Sequence, residues 1–126
     1  MKQTFEDFIE LIKTSCKKDP WTKKTGLEGY CYELKKESEE VIEAIEKKDN
    51  ENLKEELGDI LHDWAHICMM AEEKKLFSVK EVLDEAIAKI NRRKPYLKTG
   101  QNLSAEEARK IWLEEKEKEK HGGRKQ

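Results

Sequence analysis

Two stretches of the chain each carry a pair of carboxylates spaced three residues apart. Glu37 and Glu40 form the first pair, and Glu56 and Asp59 form the second. On a helix, residues three or four apart share one face, so each pair would present its oxygens in the same direction. Like charges one turn apart repel each other unless something neutralises them. A hard cation such as Mg²⁺, which prefers oxygen ligands, would do so, and the spacing is therefore compatible with a metal site.

The neighbouring residues extend both rows of carboxylates and also allow a simpler interpretation. Glu33 lies one turn before Glu37, and Asp63 lies one turn after Asp59. In a chain so rich in glutamate, such pairs often arise by chance and face water. Gly58 favours a function, because a glycine and an aspartate side by side are costly in the middle of a helix. Composition and spacing alone leave both interpretations open, solvated charge and a metal site.

Apolar residues recur at helical spacing along most of the chain, and no segment alternates in the way that a strand would. The first two helices are expected at about 4–17 and 30–48, and the third from Asp49 or Asn50 to about residue 75. Ser78 with Glu81 has the spacing of a capping box and would open a fourth helix that ends before Pro95. The pattern predicts an all-α protein, an antiparallel bundle of four main helices.

The breaks between helices predict loops and a two-part organisation. Pro20, Gly26 and Gly29 indicate a loop between the first two helices. Ser104 with Glu107 is a second capping box, and it would start a short C-terminal helix. Beyond Leu113 the sequence is almost purely charged, which is typical of a frayed, solvated tail. We expect a helical domain at 1–97, followed at 98–126 by the short helix and a partly disordered tail.

Composition excludes several classes of protein. The 126 residues carry a net charge of only −2, which argues against nucleic-acid binding through bulk charge. No apolar run has the length of a membrane span, and the first ten residues lack the core of a signal peptide. Three cysteines without paired spacing suggest reduced thiols. These features predict a cytoplasmic protein with no nucleic-acid and no membrane partner.

The carboxylate segments also carry a family resemblance. "ESEEVIEAI", residues 37–45, followed by "ELGDIL", residues 56–61, resembles the ExxE…ExxD signature of the MazG-type, all-α nucleotide pyrophosphohydrolases. Upstream, "DPWTK" at residues 19–23 is similar to a CPWDK-like loop of that family. Downstream, "KINRRKPYL" at residues 89–97 is similar to the basic end of its last conserved helix. The four segments occur in the family's order and with fitting spacings.

The resemblance implies a metal site and a reaction. It makes Glu37, Glu40, Glu56 and Asp59 the catalytic ligands of Mg²⁺, with Mn²⁺ as an alternative. The reaction would cleave a nucleoside triphosphate between its α and β phosphates, releasing a nucleoside monophosphate and pyrophosphate. A divalent cation suits this chemistry because it offsets phosphate charge and lowers the pKa of an attacking water. An enzyme with this activity could remove unwanted nucleotides.

The resemblance also implies how substrate and subunits are held. Lys89, Arg92 and Arg93 match the family's basic segment and would bind the polyphosphate, with Asn91 completing the site. The end of a helix favours cations in any protein, so these charges also have a purely structural explanation. Trp21 would stack on the nucleobase, although a tryptophan folded onto the core is an equal alternative. A homodimer or homotetramer is implied, and the thin core of a small helical bundle points the same way.

Departures from the family pattern keep other interpretations open. Asp19 and Thr22 replace residues that are often Cys and Asp in the family, so no preference for a nucleobase is assigned. Lys36 stands where many members have a further Glu, so no general base is assigned. A phosphoribosyl-ATP pyrophosphohydrolase is one rival, although "ELGDIL" fits it less well. A non-catalytic helical interaction module is another. His62 and His66 have the spacing of a zinc-protease HExxH motif, but Asp63 replaces its glutamate and no third ligand follows.

Overall fold

The computed structural model describes residues 1–122 and contains five α-helices. Helix α1 spans Lys2–Lys18, α2 Pro20–Glu46, α3 Asn50–Glu73, α4 Val79–Arg93 and α5 Ala105–His121, with a 3₁₀ turn at Pro95–Leu97. No strand occurs in the part of the chain that the structure describes. The all-α class predicted from the periodicity is confirmed. The antiparallel four-helix arrangement stays a prediction.

The chain divides into two compact units, Met1–Val79 and Lys80 onward. In the first unit, α1, α2 and α3 pack on one another. The core takes Ile12 and Cys16 from α1, Tyr30 and Ala44 from α2, and a run on α3 that includes Ala65 and Met69. Small residues such as Ala44 and Ala65, which are 1% and 0% exposed, let the helix backbones approach closely. This packing fixes the relative position of α2 and α3, which carry the paired carboxylates.

Helix α2 begins ten residues earlier than predicted. The expected loop is helical from Pro20, because Asp19 caps the helix by accepting a hydrogen bond from Trp21 N, and proline is well suited to the first helical position. The break is confined to Gly26, whose backbone has φ 68° and ψ 179°. This region is open almost exclusively to glycine. Gly29 allows the close approach across the break, since a Cβ there would lie 2.7 Å from Thr25 Cγ2.

The second unit contains the remainder of α4 and all of α5. The capping box of Ser104 and Glu107 is present, as predicted, with both reciprocal hydrogen bonds formed. Helix α5 continues to His121, through a charged stretch that was expected to be frayed. The reason is Glu119, which is buried and joined to Arg92 and Arg93 by ion pairs. The part of the predicted tail at 123–126 lies outside the described residues.

The three cysteines are free thiols, and Cys16 and Cys68 are buried. Burial raises the pKa of Cys16 to about 11 and also raises that of Cys68, so neither forms a thiolate readily. Within residues 1–122, no helix is both long and apolar enough to cross a membrane.

Candidate functional site

The structure brings the four predicted carboxylates together between α2 and α3. One carboxylate oxygen from each of Glu37, Glu56 and Asp59 lies within 4.8 Å of the others. Glu40, one turn beyond Glu37 on α2, hydrogen-bonds to both Glu37 and Glu56. The two pairs, which are remote in sequence, therefore form one acidic cluster. Within residues 1–122, Glu37, Glu56 and Asp59 are the group of His, Cys, Asp and Glu side chains whose spacing suits a metal ion.

The electrostatics of the acidic cluster show a surplus of negative charge. Burial raises the pKa of Glu37 to about 8, and hydrogen bonds in which its protonated carboxyl donates to Glu56 and Glu40 add to the effect. Oε2 of Glu37 and Oε2 of Glu56 are buried and have no hydrogen-bond partner among the described residues. Unpaired carboxylate oxygens converging from two helices are the donor set that a hard divalent cation prefers. The residues present therefore fit Mg²⁺, and they fit a soft metal poorly because no thiolate or imidazole joins them.

A polar cavity of about 330 Å³ adjoins the acidic cluster. Glu37 and Asp59 belong to both, and the cavity extends from them toward the first turn of α2 and the end of α1; its walls include Ser15, Thr22, Tyr30 and Asp63. A second and more apolar cavity of about 530 Å³ lies beside α1, but none of the four carboxylates lines it. The smaller cavity is therefore the one relevant to chemistry at the cluster.

A hydrogen-bonded network lies behind the polar cavity and contributes Ser15, Thr22 and Tyr30 to its wall. His66 Nδ1 donates to the carbonyl of His62 at 2.9 Å, and Nε2 lies 2.9 Å from Ser15 Oγ. Burial lowers the pKa of His66, which favours the neutral ring, so Nε2 accepts from the serine hydroxyl. Ser15 Oγ is 2.8 Å from Thr22 Oγ1, and Tyr30 donates to the same threonine at 3.2 Å. The network joins all three helices and fixes the shape of the cavity.

The histidine pair is therefore structural rather than a zinc site. Both ring nitrogens of His66 are engaged, and the ring stacks on Tyr30 with centroids 4.5 Å apart. His62 Nδ1 contacts Asp63 at 3.2 Å. The zinc-peptidase interpretation lacks support because this spacing serves packing between α2 and α3. Sequence reasoning missed the partners Ser15 and Tyr30, which no local motif marks, and it named Thr22 only as a departure from the family's loop.

Trp21 lines the polar cavity, but from the first turn of α2 rather than from a loop. Its side chain is 68% exposed, so it is not the core tryptophan that the alternative interpretation describes. Lys24 Nζ lies 5.7 Å from the centre of its ring. An exposed aromatic face beside a polar cavity is available for stacking.

The basic residues of α4 have partners within the second unit. Glu119 accepts from Arg92 Nε at 2.9 Å and from Arg93 Nη2 at 2.8 Å. The guanidinium of Arg93 also stacks over Trp112 at 4.7 Å. Lys89 is half-buried and Asn91 is exposed. The structure thus shows two of the predicted phosphate-binding residues holding a carboxylate. Sequence reasoning missed Glu119, although it lies seven residues after Trp112, on the same face of α5.

Comparison with known proteins gives the site a context. A model of the MazG nucleotide pyrophosphohydrolase domain matches residues 25–98. The nucleoside triphosphate pyrophosphohydrolase/pyrophosphatase MazG of Thermotoga maritima is 30% identical over 95 residues, which cover 74% of this chain and 37% of that protein. The nucleoside triphosphate pyrophosphohydrolase of Mycolicibacterium smegmatis is 28% identical over 116 residues, covering 90% and 36%. The chain spans little more than a third of the length of these relatives.

A solved structure agrees with this match. The crystal structure of a MazG-related protein from Thermotoga maritima superposes with a TM-score of 0.81 at 37% identity, covering 89% of this chain and 98% of the other. The family model spans more than half of the sequence, and the matched stretch contains all four carboxylates of the acidic cluster. The chain therefore belongs to the MazG nucleotide pyrophosphohydrolase domain family.

Proposed function

We propose that the chain is a Mg²⁺-dependent nucleoside triphosphate pyrophosphohydrolase that cleaves between the α and β phosphates, releasing a nucleoside monophosphate and pyrophosphate. The observation that carries the proposal is the acidic cluster of Glu37, Glu40, Glu56 and Asp59 beside a polar cavity. Membership of the MazG family and the names of the two relatives support the same reaction class. Removal of unwanted nucleotides is the role that we expect.

Each part of the proposed site has a distinct task. The four carboxylates would hold Mg²⁺, or Mn²⁺ in its place. A bound divalent cation supplies positive charge against the phosphate oxygens and lowers the pKa of water. Trp21 offers its exposed face to the nucleobase, and the network around Thr22 keeps that part of the cavity in a fixed shape. Holding the substrate in one orientation is itself a large part of phosphoryl-transfer catalysis.

The proposed binding of phosphates by Lys89, Asn91, Arg92 and Arg93 carries a condition. Arg92 and Arg93 already pair with Glu119, so a polyphosphate would have to share or displace that carboxylate. For Lys89 and Asn91, no contact described above would have to be shared or displaced. The four residues stay a prediction as a substrate-binding group.

We also propose a homodimer or homotetramer. Four apolar side chains on α2 and α3 are 39–58% exposed: Ile42, Ile45, Leu57 and Leu61. Covering them in a subunit interface would complete a core that is thin in a single chain. A cytoplasmic location, the absence of nucleic-acid and membrane partners and the domain limits 1–97 and 98–126 remain predictions.

The test is pyrophosphate release from a panel of ribo- and deoxyribonucleoside triphosphates, with Mg²⁺ or with a chelator. Wild type is compared with Glu40→Gln and Asp59→Asn, and with Glu55→Gln, which changes an exposed glutamate next to the acidic cluster. We expect metal-dependent release of pyrophosphate and monophosphate, lost in the first two variants and retained in the third. The panel includes phosphoribosyl-ATP, because selective turnover of that compound would favour the alternative function, a phosphoribosyl-ATP pyrophosphohydrolase.

Two other outcomes have clear meanings. No turnover together with no effect of Mg²⁺ on the melting temperature would contradict the proposal and favour an interaction module with solvated carboxylates. No turnover with clear stabilisation by Mg²⁺ would retain the metal site but reject the substrates tested, because a ligand stabilises only the folded state that binds it.

A further inference from the structure

One oxygen of the Asp63 carboxylate, Oδ2, is buried and has no hydrogen-bond partner among residues 1–122. The residue is 5% exposed, and its other oxygen, Oδ1, lies 3.2 Å from Nδ1 of His62. An ionised carboxylate can only accept, so His62 donates this bond. A buried acceptor without a donor costs free energy that the fold itself does not recover. Oδ2 is therefore an acceptor that lacks its donor.

The position of Asp63 relates this acceptor to the acidic cluster. Asp63 lines the same cavity as Glu37 and Asp59. It follows Asp59 by four residues on one face of α3, which separates the two by about 6 Å along the helix axis. A nucleotide held through its phosphates at the cluster would therefore reach Asp63 with its nucleoside part.

The hydroxyl groups of the cavity wall on α1 and the first turn of α2 already have partners. The Thr22 hydroxyl donates to Asp19 at 2.9 Å and accepts from Tyr30, while Ser15 contacts both Thr22 and His66. Burial raises the pKa of Asp63, against the opposing effect of His62, as expected for a carboxylate whose lost water is incompletely replaced. Unlike these hydroxyl groups, Asp63 has a buried acceptor atom, Oδ2, without a hydrogen-bond partner among the described residues.

We propose that Asp63 accepts a hydrogen bond from an N–H or O–H donor on the nucleoside part of the substrate and thereby selects among nucleotides. This inference rests on the proposed function, since it assigns a specificity residue to the same site. The donor is either a base amino or ring N–H or a sugar hydroxyl, which share the same chemistry toward a carboxylate. An analogue that lacks the donor is rejected because Oδ2 then stays unpaired.

The test uses pairs of triphosphates that differ by one donor. The bases are adenine against purine, guanine against hypoxanthine, cytosine against pyrimidin-2-one, and uracil against 3-methyluracil; the sugars are ribose against its 2′-deoxy and 3′-deoxy forms. With Mg²⁺ present, kcat/KM is measured for wild type and Asp63→Asn. In wild type, one pair should differ by about 10- to 100-fold, the range for losing a hydrogen bond to a charged group. In Asp63→Asn, the same pair should differ by less than about threefold.

The design separates recognition from folding. Each ratio compares two substrates on one preparation, so an inactive fraction of the variant cancels. Asp7→Asn is the matched control, because Asp7 is exposed on α1 and does not line the cavity. It should keep every wild-type ratio. If the kcat/KM ratio changes for two substrates that differ in the base, the base carries the donor. If it changes for two substrates that differ in the sugar, the donor is the sugar hydroxyl.

Two results would overturn the inference. If Asp63→Asn lowers kcat/KM for all substrates by one common factor and changes no ratio, Asp63 supports the fold alone. If wild type turns over no nucleotide, the proposed function fails separately, and the same pairs are compared as monophosphates by calorimetric binding to both proteins. Equal affinities throughout would then reject the role of Asp63 as well.

Discussion

Binding of Mg²⁺ to the acidic cluster should expel a proton from Glu37. The raised pKa of about 8 means that this carboxyl is largely protonated in the metal-free protein at neutral pH. A cation requires the ionised form, so binding and proton release are coupled. With a pKa of 8, about nine-tenths of the carboxyls carry the proton at pH 7 and about one-tenth at pH 9. We therefore expect release of about 0.9 proton per cation at pH 7 and about 0.1 at pH 9.

The same numbers predict how affinity changes. The apparent dissociation constant should fall by about tenfold between pH 7 and pH 9 and change little above that, because the competing proton is then absent. Titration calorimetry in two buffers of different ionisation enthalpy measures the protons released. Glu55→Gln should behave as wild type, since it leaves the acidic cluster intact. A heat at pH 7 that does not depend on the buffer would show that Glu37 is already ionised, which would refute the argument from burial.

The raised pKa of Glu37 also predicts how the stability of the metal-free protein changes with pH. The folded chain holds the Glu37 proton more tightly than the unfolded chain, whose carboxyl has a pKa near 4.5. The contribution of Glu37 to the free energy of unfolding is therefore fully present below pH 4.5 and is lost as pH rises through about 8. Saturating Mg²⁺ should remove this loss, and urea unfolding with and without the metal would measure it.

Three further predictions concern single side chains. Glu119→Ala leaves Arg93 buried without its partner and should destabilise the fold by about 3–5 kcal/mol in chemical denaturation. Glu117→Ala, which removes one partner of an exposed pair, should cost less than about 1 kcal/mol. Equal costs would contradict the burial argument. Gly26→Ala meets no neighbouring atom within 4 Å, so its cost should be the backbone conformation alone, about 1–3 kcal/mol by the same measurement. Trp21→Ala should raise KM by about tenfold with an unchanged melting temperature, because the ring is exposed; an unchanged KM would remove Trp21 from the site.

The helices and the carboxylates were predictable because their signals are local. Apolar spacing reports a helix face directly, and the three-residue spacing places Glu37 beside Glu40 without knowledge of the fold. The resemblance then paired these two with Glu56 and Asp59. The start of α2 differs from the prediction because proline and glycine are both common in loops. Asp19 before a proline is also a helix-start signal, and Gly26 interrupts the helix at one residue only.

The remaining features depend on contacts between distant residues. Ser15 and His66 are 51 positions apart, and only the packing of α1 on α3 brings them together. Glu119 belongs to a charged stretch whose composition is typical of solvent, and its burial follows from the position of Arg93. Neither pair has a periodicity or a motif of its own. A single sequence therefore predicts the metal ligands better than it predicts the wall of the cavity.

The backbone break at Gly26 separates two tasks within one helix. Pro20 to Thr25 carries the exposed ring of Trp21 and one wall of the cavity, whereas the stretch after Gly26 carries Glu37 and Glu40. A continuous helix would transmit any rotation of its first turns along the rod to the carboxylates. The non-helical Gly26 interrupts this transmission along the backbone, and the hydrogen bond from Tyr30 to Thr22 remains as a link across the break. Substrate preference can therefore diverge, in nature or in directed evolution, through replacements of Trp21, Lys23 and Lys24, which leave the hydrogen bonds of Thr22 intact, while the carboxylates keep their arrangement.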